Sequence, residues 1–290
     1  MRTAGFLVTL SLLLVSALVA DDFSGAAHKL QAETCEDVLD VVGDFSDCHD
    51  NFPTGCTHST RPGYDAYLNY LKNQVVSPTP PQGDRLSADG FAVLEENLPP
   101  TLGTRNHADH AVELAQAGEG QVREVVGFLY YFENTGKPRR HQTNGETSNC
   151  QLLGTANSDF HLGIGFDPNM ASRIRSGTVK HVIGAPPAEA EQTSIIGEMT
   201  PHMRAELHPG WTLARLNRAV GRQILVRGQL VVDNDHVNAK DDCGNPNANT
   251  DACWRASVWE IHPITEFFVC TGTQPCDPND LSTWKRLENL

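Results

Sequence analysis

The longest strand-like run of the chain is Arg255–Cys270, RASVWEIHPITEFFVC. Trp259, Ile261, Phe267 and Val269 share one parity, and Glu260, His262 and Glu266 share the other. An extended backbone sends the first set toward a core and leaves the second wet or polar. Pro263 has no N–H for a ladder, which predicts an edge or a bulge there. The same alternation recurs upstream. Asp159–Phe166 sets Phe160, Leu162, Ile164 and Phe166 against Asp159 and His161, and Gln223–Asp233 turns Ile224, Val226, Leu230 and Val232 inward. Ser194–Met199 is a short strand. Val122–Phe132 is apolar on both parities and ends at the turn signal Asn134-Thr135-Gly136. Trp211–Val220 instead carries Leu213, Leu216 and Val220 on one helical face, with Thr212 or Gly210 to start it and Gly221 to stop it.

Three strands, a helix and two strands predict a mainly β fold: an OB-fold-like five-stranded barrel over 121–270 with one helix between strands three and four. A generic antiparallel sheet with one helix is the alternative. Residues 271–290 form a C-terminal tail. Residues 21–120 read as a small, mostly helical, disulfide-bearing region. Within it, Glu36–Val42 is a short helix and Asp44–Arg61 a cysteine-stapled loop. Gly63–Val76 is an amphipathic helix with Tyr64, Tyr67, Leu68, Leu71 and Val75 at helical spacing. SPTPPQGD at Ser77–Asp84 is a linker, and Ser87 caps a helix that Pro99 and Pro100 end near Leu98.

Composition adds compartment and excludes one class of partner. Met1–Ala20 has Arg2, an apolar Phe6–Val15 run and small residues at Ser16, Ala17 and Ala20, the pattern of a signal peptide cut after Ala17 or Ala20. No later segment is apolar for long enough to cross a bilayer, so the mature chain is expected to be secreted or periplasmic, without a transmembrane segment. Eight cysteines, Cys35, Cys48, Cys56, Cys150, Cys243, Cys253, Cys270 and Cys276, fit an oxidising compartment. Short spacing pairs Cys243 with Cys253 and Cys270 with Cys276, while the other connectivities stay open. No CxxC pair points to zinc. A formal charge of −14 repels phosphate backbones and argues against general nucleic-acid binding.

Several motifs occur together: DFHLGI at Asp159–Ile164, GEMTP at Gly197–Pro201, HPGWTL at His208–Leu213, a run ending DNDH at His236, and WEIHPI at Trp259–Ile264. In this order they resemble an uncharacterised family of exported bacterial proteins with an OB-fold-like domain, over roughly Gln121–Cys270. The resemblance implies the barrel and an export route, and no activity. Members of that family carry S-C-N-C where this chain has Thr147-Ser148-Asn149-Cys150, which leaves the partner of Cys150 open.

Barrels of this type bind ligands on the outer face of strands two and three and on two loops. Here that face offers Asp159, His161 and Glu198. The first loop holds a basic Lys137–His141 patch, and the last holds Asp235, His236 and the Cys243–Cys253 excursion, with Trp254 at its end to stack on a sugar or base. Glu260 and His262 share a face of the last strand. The expected function is a binding module for a glycan, a cell-envelope component or a protein partner. One alternative is a metal-dependent hydrolase centred on Asp159, His161 and Glu198, since Asp-x-His on one strand face suits a divalent ion or a base with its orienting carboxylate. The other is a structural or interaction protein whose polar residues only fix strand register. No cofactor motif occurs beyond this opening for a divalent metal. No G-x-S-x-G, HExxH or dinucleotide fingerprint is present, and the Asp/Asn-rich loop fails the EF-hand pattern at Val237 and Asn238. His107, Asp109 and His110 form a small cluster that reads as a metal site or, more blandly, a solvated turn.

Overall fold

The computed structural model describes residues 66–104, 106–134, 149 and 154–290. The leader-like segment, Cys35, Cys48, Cys56, Cys150, the Glu36–Val42 helix, the stapled loop and the Lys137–His141 patch lie outside these residues. Five strands close a barrel: β1 (Val122–Asn134), β2 (Phe160–Gly165), β3 (Ser194–Met199), β4 (Gln223–Val232) and β5 (Trp259–Cys270). Neighbours run β3-β2-β1-β4-β5, all antiparallel, and a parallel β3–β5 pairing at Gly197 and Ile261 shuts the ring. This is the expected OB-fold-like closure. The alternating apolar positions fill its interior, with Leu162, Ile164, Ile224, Val226, Leu230, Trp259, Ile261, Phe267 and Val269 in one core.

The crossover from β3 to β4 holds the expected helix, Leu213–Ala219, with the Thr212 side chain accepting from the Arg215 N–H at 3.3 Å and Gly221 left-handed (φ +72°) just beyond it. A further turn of helix, Pro201–Glu206, precedes it and is capped by Thr200. In chain order the helices are α1 (Ala66–Asn73), α2 (Ala88–Glu96), α3 (Ala111–Ala117), α4 (Pro168–Arg175), α5 (Ala188–Glu191), α6 (Pro201–Glu206) and α7 (Leu213–Ala219). Ser87 caps α2 by accepting from the Gly90 N–H. Leu68 and Leu71 of α1 bury against Val231 of β4, so the amphipathic spacing read in the sequence is the docking face. The tail adds β6 (Trp284–Arg286), which pairs with the second half of β5 and places Leu287 in the main core.

Two irregularities give β1 and β5 their character. The apolar run of β1 is explained by burial on both faces. Val125, Leu129 and Phe132 point inward, and Tyr130 and Tyr131 meet Met170, Ala171 and Ile174 of α4. A register shift between Leu129 and Tyr131 lets consecutive tyrosines join that outer cluster. The Tyr130 hydroxyl donates to the Asp167 carbonyl and accepts from the Asp167 N–H, anchoring the start of α4. In β5, Gly228 pairs with Ile264 and Leu230 with Ile261, so His262 and Pro263 together oppose Gln229. That is the bulge Pro263 predicts. The regular strand begins at Trp259 rather than Arg255, because the Arg255 carbonyl accepts from Cys243 N–H and the Ala256 N–H donates to Ser194.

Outside the barrel, Glu124, Arg227 and Glu266 form a ladder, with Arg85 and Arg286 at its ends. Both short-range disulfides, Cys243–Cys253 and Cys270–Cys276, are formed. No helix among the described residues is long and apolar enough to cross a membrane.

Two substitutions test this packing. A Cβ on Gly163 would fall inside the ring of Tyr131, which is itself buried. Gly163→Ala should therefore cost about 1–3 kcal/mol in denaturant unfolding, and an unchanged midpoint would contradict the packing described. On α2, Glu95 accepts from Ser257 Oγ at 2.6 Å and from the Val258 N–H at 3.1 Å. Burial, then the charge of Asp242, pushes its carboxyl up to about 8 from 4.5. The folded state then holds this proton more tightly than the unfolded chain. The associated stability is complete below about pH 4.5 and is lost as pH rises toward 8. Glu95→Gln should become progressively more stable relative to the parent between pH 5 and pH 8, read as a widening difference in Tm.

Candidate functional site

The register of the strands assembles one polar centre on the outer face of the barrel. Asp159 and His161 flank Phe160 and point away from the core it enters. His161 pairs directly with Glu198 across β2–β3. The Gly197–Ile261 closure then sets the next residues, Glu198 and His262, side by side on parallel strands. A side chain at Gly197 would meet Ile164 and Ile264 at about 3 Å, so the close approach of β3 to β5 depends on glycine there. Arg204 fixes the ends of β2 and β3 by donating to the carbonyls of Met199, Thr155 and Ser158.

Distances follow from this arrangement. His161 Nε2 lies 3.3 Å from Glu198 Oε1, and His262 Nδ1 lies 3.5 Å from Glu198 Oε2 and 3.1 Å from Glu260 Oε1. One carboxylate oxygen each from Asp159 and Glu198, with one nitrogen of His262, fall within 4.8 Å of one another. All three residues are buried. Asn149 donates to Asp159 Oδ2 at 2.9 Å. The sequence pattern centres this site on Asp159, His161 and Glu198, with His262 as a further candidate. His262 completes the close trio, and His161 stands beside it against Glu198.

A second layer neutralises the carboxylates on one flank. Lys72, reaching in from α1, lies 2.9 Å from Asp233 Oδ2 and 3.1 Å from Glu260 Oε1. Arg255 Nη1 lies 3.2 Å from Asp233 and 3.4 Å from Glu260. His236 Nδ1 closes on Asp233 at 2.8 Å. Glu260 is fully buried and His262 is 1% exposed, so the polar face of β5 is not wet but covered by α1 and the 233–255 loop. Trp254 is a wall of the site. Its indole N–H donates to Asp241, one face takes the Arg255 guanidinium at 4.3 Å, and His161 and His236 meet it edge-on. The seven candidates Asp159, His161, Glu198, His236, Trp254, Glu260 and His262 thus converge. Lys72, Asp233 and Arg255 join them without having been nominated. Of these, only Asp233 had a signal, as the first acid of the DNDH run.

The electrostatics divide the cluster in two. Burial alone would raise the carboxyls of Asp233 and Glu260, yet the Lys72 and Arg255 charges and the hydrogen-bonding histidines beside them win. His236, Lys72 and Arg255 hold Asp233 well below the usual range, and Lys72 with His262 and Arg255 brings Glu260 to about 2. Burial would likewise lower Lys72, but Asp233, Glu260 and Glu198 raise it well above its ordinary value. Two cations and two carboxylates therefore balance. Glu198 does not share in that balance: burial, with Asp159 and Glu260 nearby, pushes its carboxyl well up despite His262. Burial, then the Arg255 charge, lowers His161 to about 3, so its imidazole is neutral. Glu260 accepts from one nitrogen of His262, and the other, Nε2, is buried with no hydrogen-bond partner among the described residues. A proton fixed on Nδ1 leaves Nε2 as a lone-pair donor, the arrangement seen when a carboxylate orients a metal-ligating histidine.

The other histidines among the described residues are structural. His107 is fully buried between Glu119 and Asn234, and His110 meets Thr101 and Glu113, so the HADH cluster is neither a solvated turn nor a joint ligand set. His208 stacks on Trp211 at 3.8 Å and bonds to Glu288 and the Thr265 carbonyl, and His202 bonds to the Asn73 carbonyl. Trp211 and Trp259 are both buried packing residues.

Removing the Lys72 charge leaves Asp233 and Glu260 short of a cation in a dry site. Lys72→Met should destabilise the fold by about 3–5 kcal/mol, and Asp233→Asn in the same chain should recover part of that loss. A Lys72→Met midpoint within error of the parent would show that the pairing carries no stability. Compared with known proteins, the chain matches no family model, no curated protein and no solved structure.

Proposed function

We propose that the protein is a metal-dependent hydrolase whose cation is held by Asp159, Glu198 and His262 on the outer face of the barrel. The observation that carries this reading is the convergence of three buried ligand atoms of suitable type within 4.8 Å. Two carboxylates and one imidazole fit a divalent first-row ion or Mg²⁺, and three protein ligands leave coordination positions open for water and substrate. The raised Glu198 carboxyl supports the fit, because it is a buried group that a cation would satisfy. A bound divalent ion supplies Lewis acidity and an activated water.

The chain's own residues then have separable roles. Asp159, Glu198 and His262 hold the ion. Glu260 fixes the tautomer and aim of His262, and Lys72 and Arg255 keep Glu260 charged for that purpose. The neutral His161, 3.3 Å from Glu198, orients that carboxylate. The His236 side chain is 34% exposed and packs edge-on against Trp254 at the outer side of the cluster. The leader-like Met1–Ala20 and the two disulfides support an exported enzyme working outside the cytoplasm. The family resemblance agrees with export and is silent on activity.

The binding-module reading rests on Trp254. It is the weaker reading, because Arg255 already occupies one face of that ring.

Elemental analysis of the purified protein, with thermal shifts on adding Zn²⁺, Mn²⁺ or Mg²⁺ after chelation, tests the proposal. About one ion per chain and a rise in Tm are expected. Both should be lost in Glu198→Gln and His262→Ala, and Glu260→Gln should weaken binding by about 10–100-fold. Chelator-sensitive hydrolysis of a generic ester or phosphoester panel should follow the same variants. A protein that neither carries nor responds to any divalent ion would refute the metal site and with it the hydrolase.

A further inference from the structure

The far end of the barrel carries the opposite charge. A cavity of about 520 Å³ there is lined by Arg175, Arg218, Val220, Arg222, Gly272 and Gln274. Arg222 leads into β4, while Glu260 pairs with Val231 near the other end of that strand. At about 3.3 Å per residue, nine residues separate this cavity from the acidic centre by roughly 25–30 Å. Three arginines line one concavity with no acidic side chain among them, in a chain whose acidic residues outnumber its basic ones 36 to 22.

The backbone builds this convergence. Gly221, left-handed at φ +72°, donates its N–H to the Leu129 carbonyl at 2.7 Å. A Cβ there would lie 2.8 Å from Arg175 Cβ, so only glycine lets the end of α4 pack against the turn that presents Arg222. Leu129 N–H donates to the Arg222 carbonyl and Arg222 N–H to Ala219, which fixes that residue's main chain. Arg175 is held by a neutral partner, Gln274 Oε1 at 3.0 Å, and Arg218 by the Leu290 main-chain oxygen at 3.0 Å.

Arg175 and Arg218 sit in the last turns of α4 and α7, where a cation complements the helix dipole. The helix dipole does not reach Arg222. It lies beyond α7, is half-buried, and its guanidinium has no hydrogen-bond or ion-pair partner among the described residues.

We infer that Arg175, Arg218 and Arg222 form an anion site for the phosphate group of a small phosphorylated ligand. Planar guanidinium forks match phosphate oxygens in pairs, and a dianion in the cavity would meet positive charge from the arginines that line it. The cavity exceeds a bare ion and falls within the range of small-ligand sites. Gln274 and the Gly272 backbone, on the wall beside the arginines, offer hydrogen bonds to hydroxyls of the attached group. The site is independent of the metal proposal.

The test uses full-length protein with chelator present, so that no phosphate is bound through a cation. Thermal shift and calorimetric titration compare inorganic phosphate, glucose 6-phosphate and glucose against chloride at equal ionic strength. The expected result is a saturable rise with phosphate and a larger one with glucose 6-phosphate, none with glucose, and at least tenfold weaker binding in Arg222→Gln. Arg175→Gln should weaken it similarly, and both variants should keep the parent's response to divalent ions. A phosphate response no greater than that to chloride would overturn the inference. So would a response unchanged in both arginine variants, or one abolished by Glu198→Gln.

Discussion

The contact on which the rest depends is the parallel closure of β3 on β5 at Gly197 and Ile261. Every other strand pair is antiparallel and between sheet neighbours. This one shuts the ring, and Gly197 permits it, because a Cβ there would lie only about 3 Å from the side chains of Ile164 and Ile264. Its consequence lies one residue further along each strand. Glu198 and His262 become neighbours on the outside of the barrel, and the β2 register has already placed His161 against Glu198. Core packing on one face and ligand geometry on the other are thus set by the same backbone pairing.

The outer layer keeps that face dry. Buried carboxylates are costly unless paired, and here Lys72 and Arg255 offset Asp233 and Glu260 while the helix carrying Lys72 seals the strand face through Leu68 and Leu71. The neutral quartet serves as a rigid support for His262 rather than as chemistry in itself. Glu198 is left in low-dielectric surroundings without a full counter-charge, which is what distinguishes a centre able to take a cation from a merely satisfied hydrogen-bond network.

Much of this was legible in the chain itself, for definite reasons. Period-two alternation in Asp159–Phe166 identified which side of β2 carries Asp159 and His161, and the Leu213, Leu216 spacing located the crossover helix. Pro263 marked the bulge of β5, and short spacing identified both disulfides. Other features depend on tertiary placement. Lys72 meets Asp233 across 161 residues, and nothing in an amphipathic helix says which strand its lysine will reach. Arg255 belonged by parity to a regular strand, but its carbonyl is drawn to Cys243 and the strand starts later. That His262, already a candidate, sits closer to Asp159 and Glu198 than a same-strand reading suggests follows from a parallel pairing that alternation along single strands does not encode. The α4 helix had a local signal, Asp167 followed by Pro168 at its first turn, that the apolar pattern alone passes over. Three residues of β6 are too few to show any period.

Anomalous diffraction from crystals soaked in zinc tests the central claim most directly. One strong peak is expected on the outer face, about 2.0–2.2 Å from an oxygen of Asp159, an oxygen of Glu198 and a nitrogen of His262, with Lys72 still on Asp233 and Glu260. A zinc ion bound elsewhere while these three side chains keep their direct contacts, or a β3–β5 seam that does not bring Glu198 to His262, would contradict that claim.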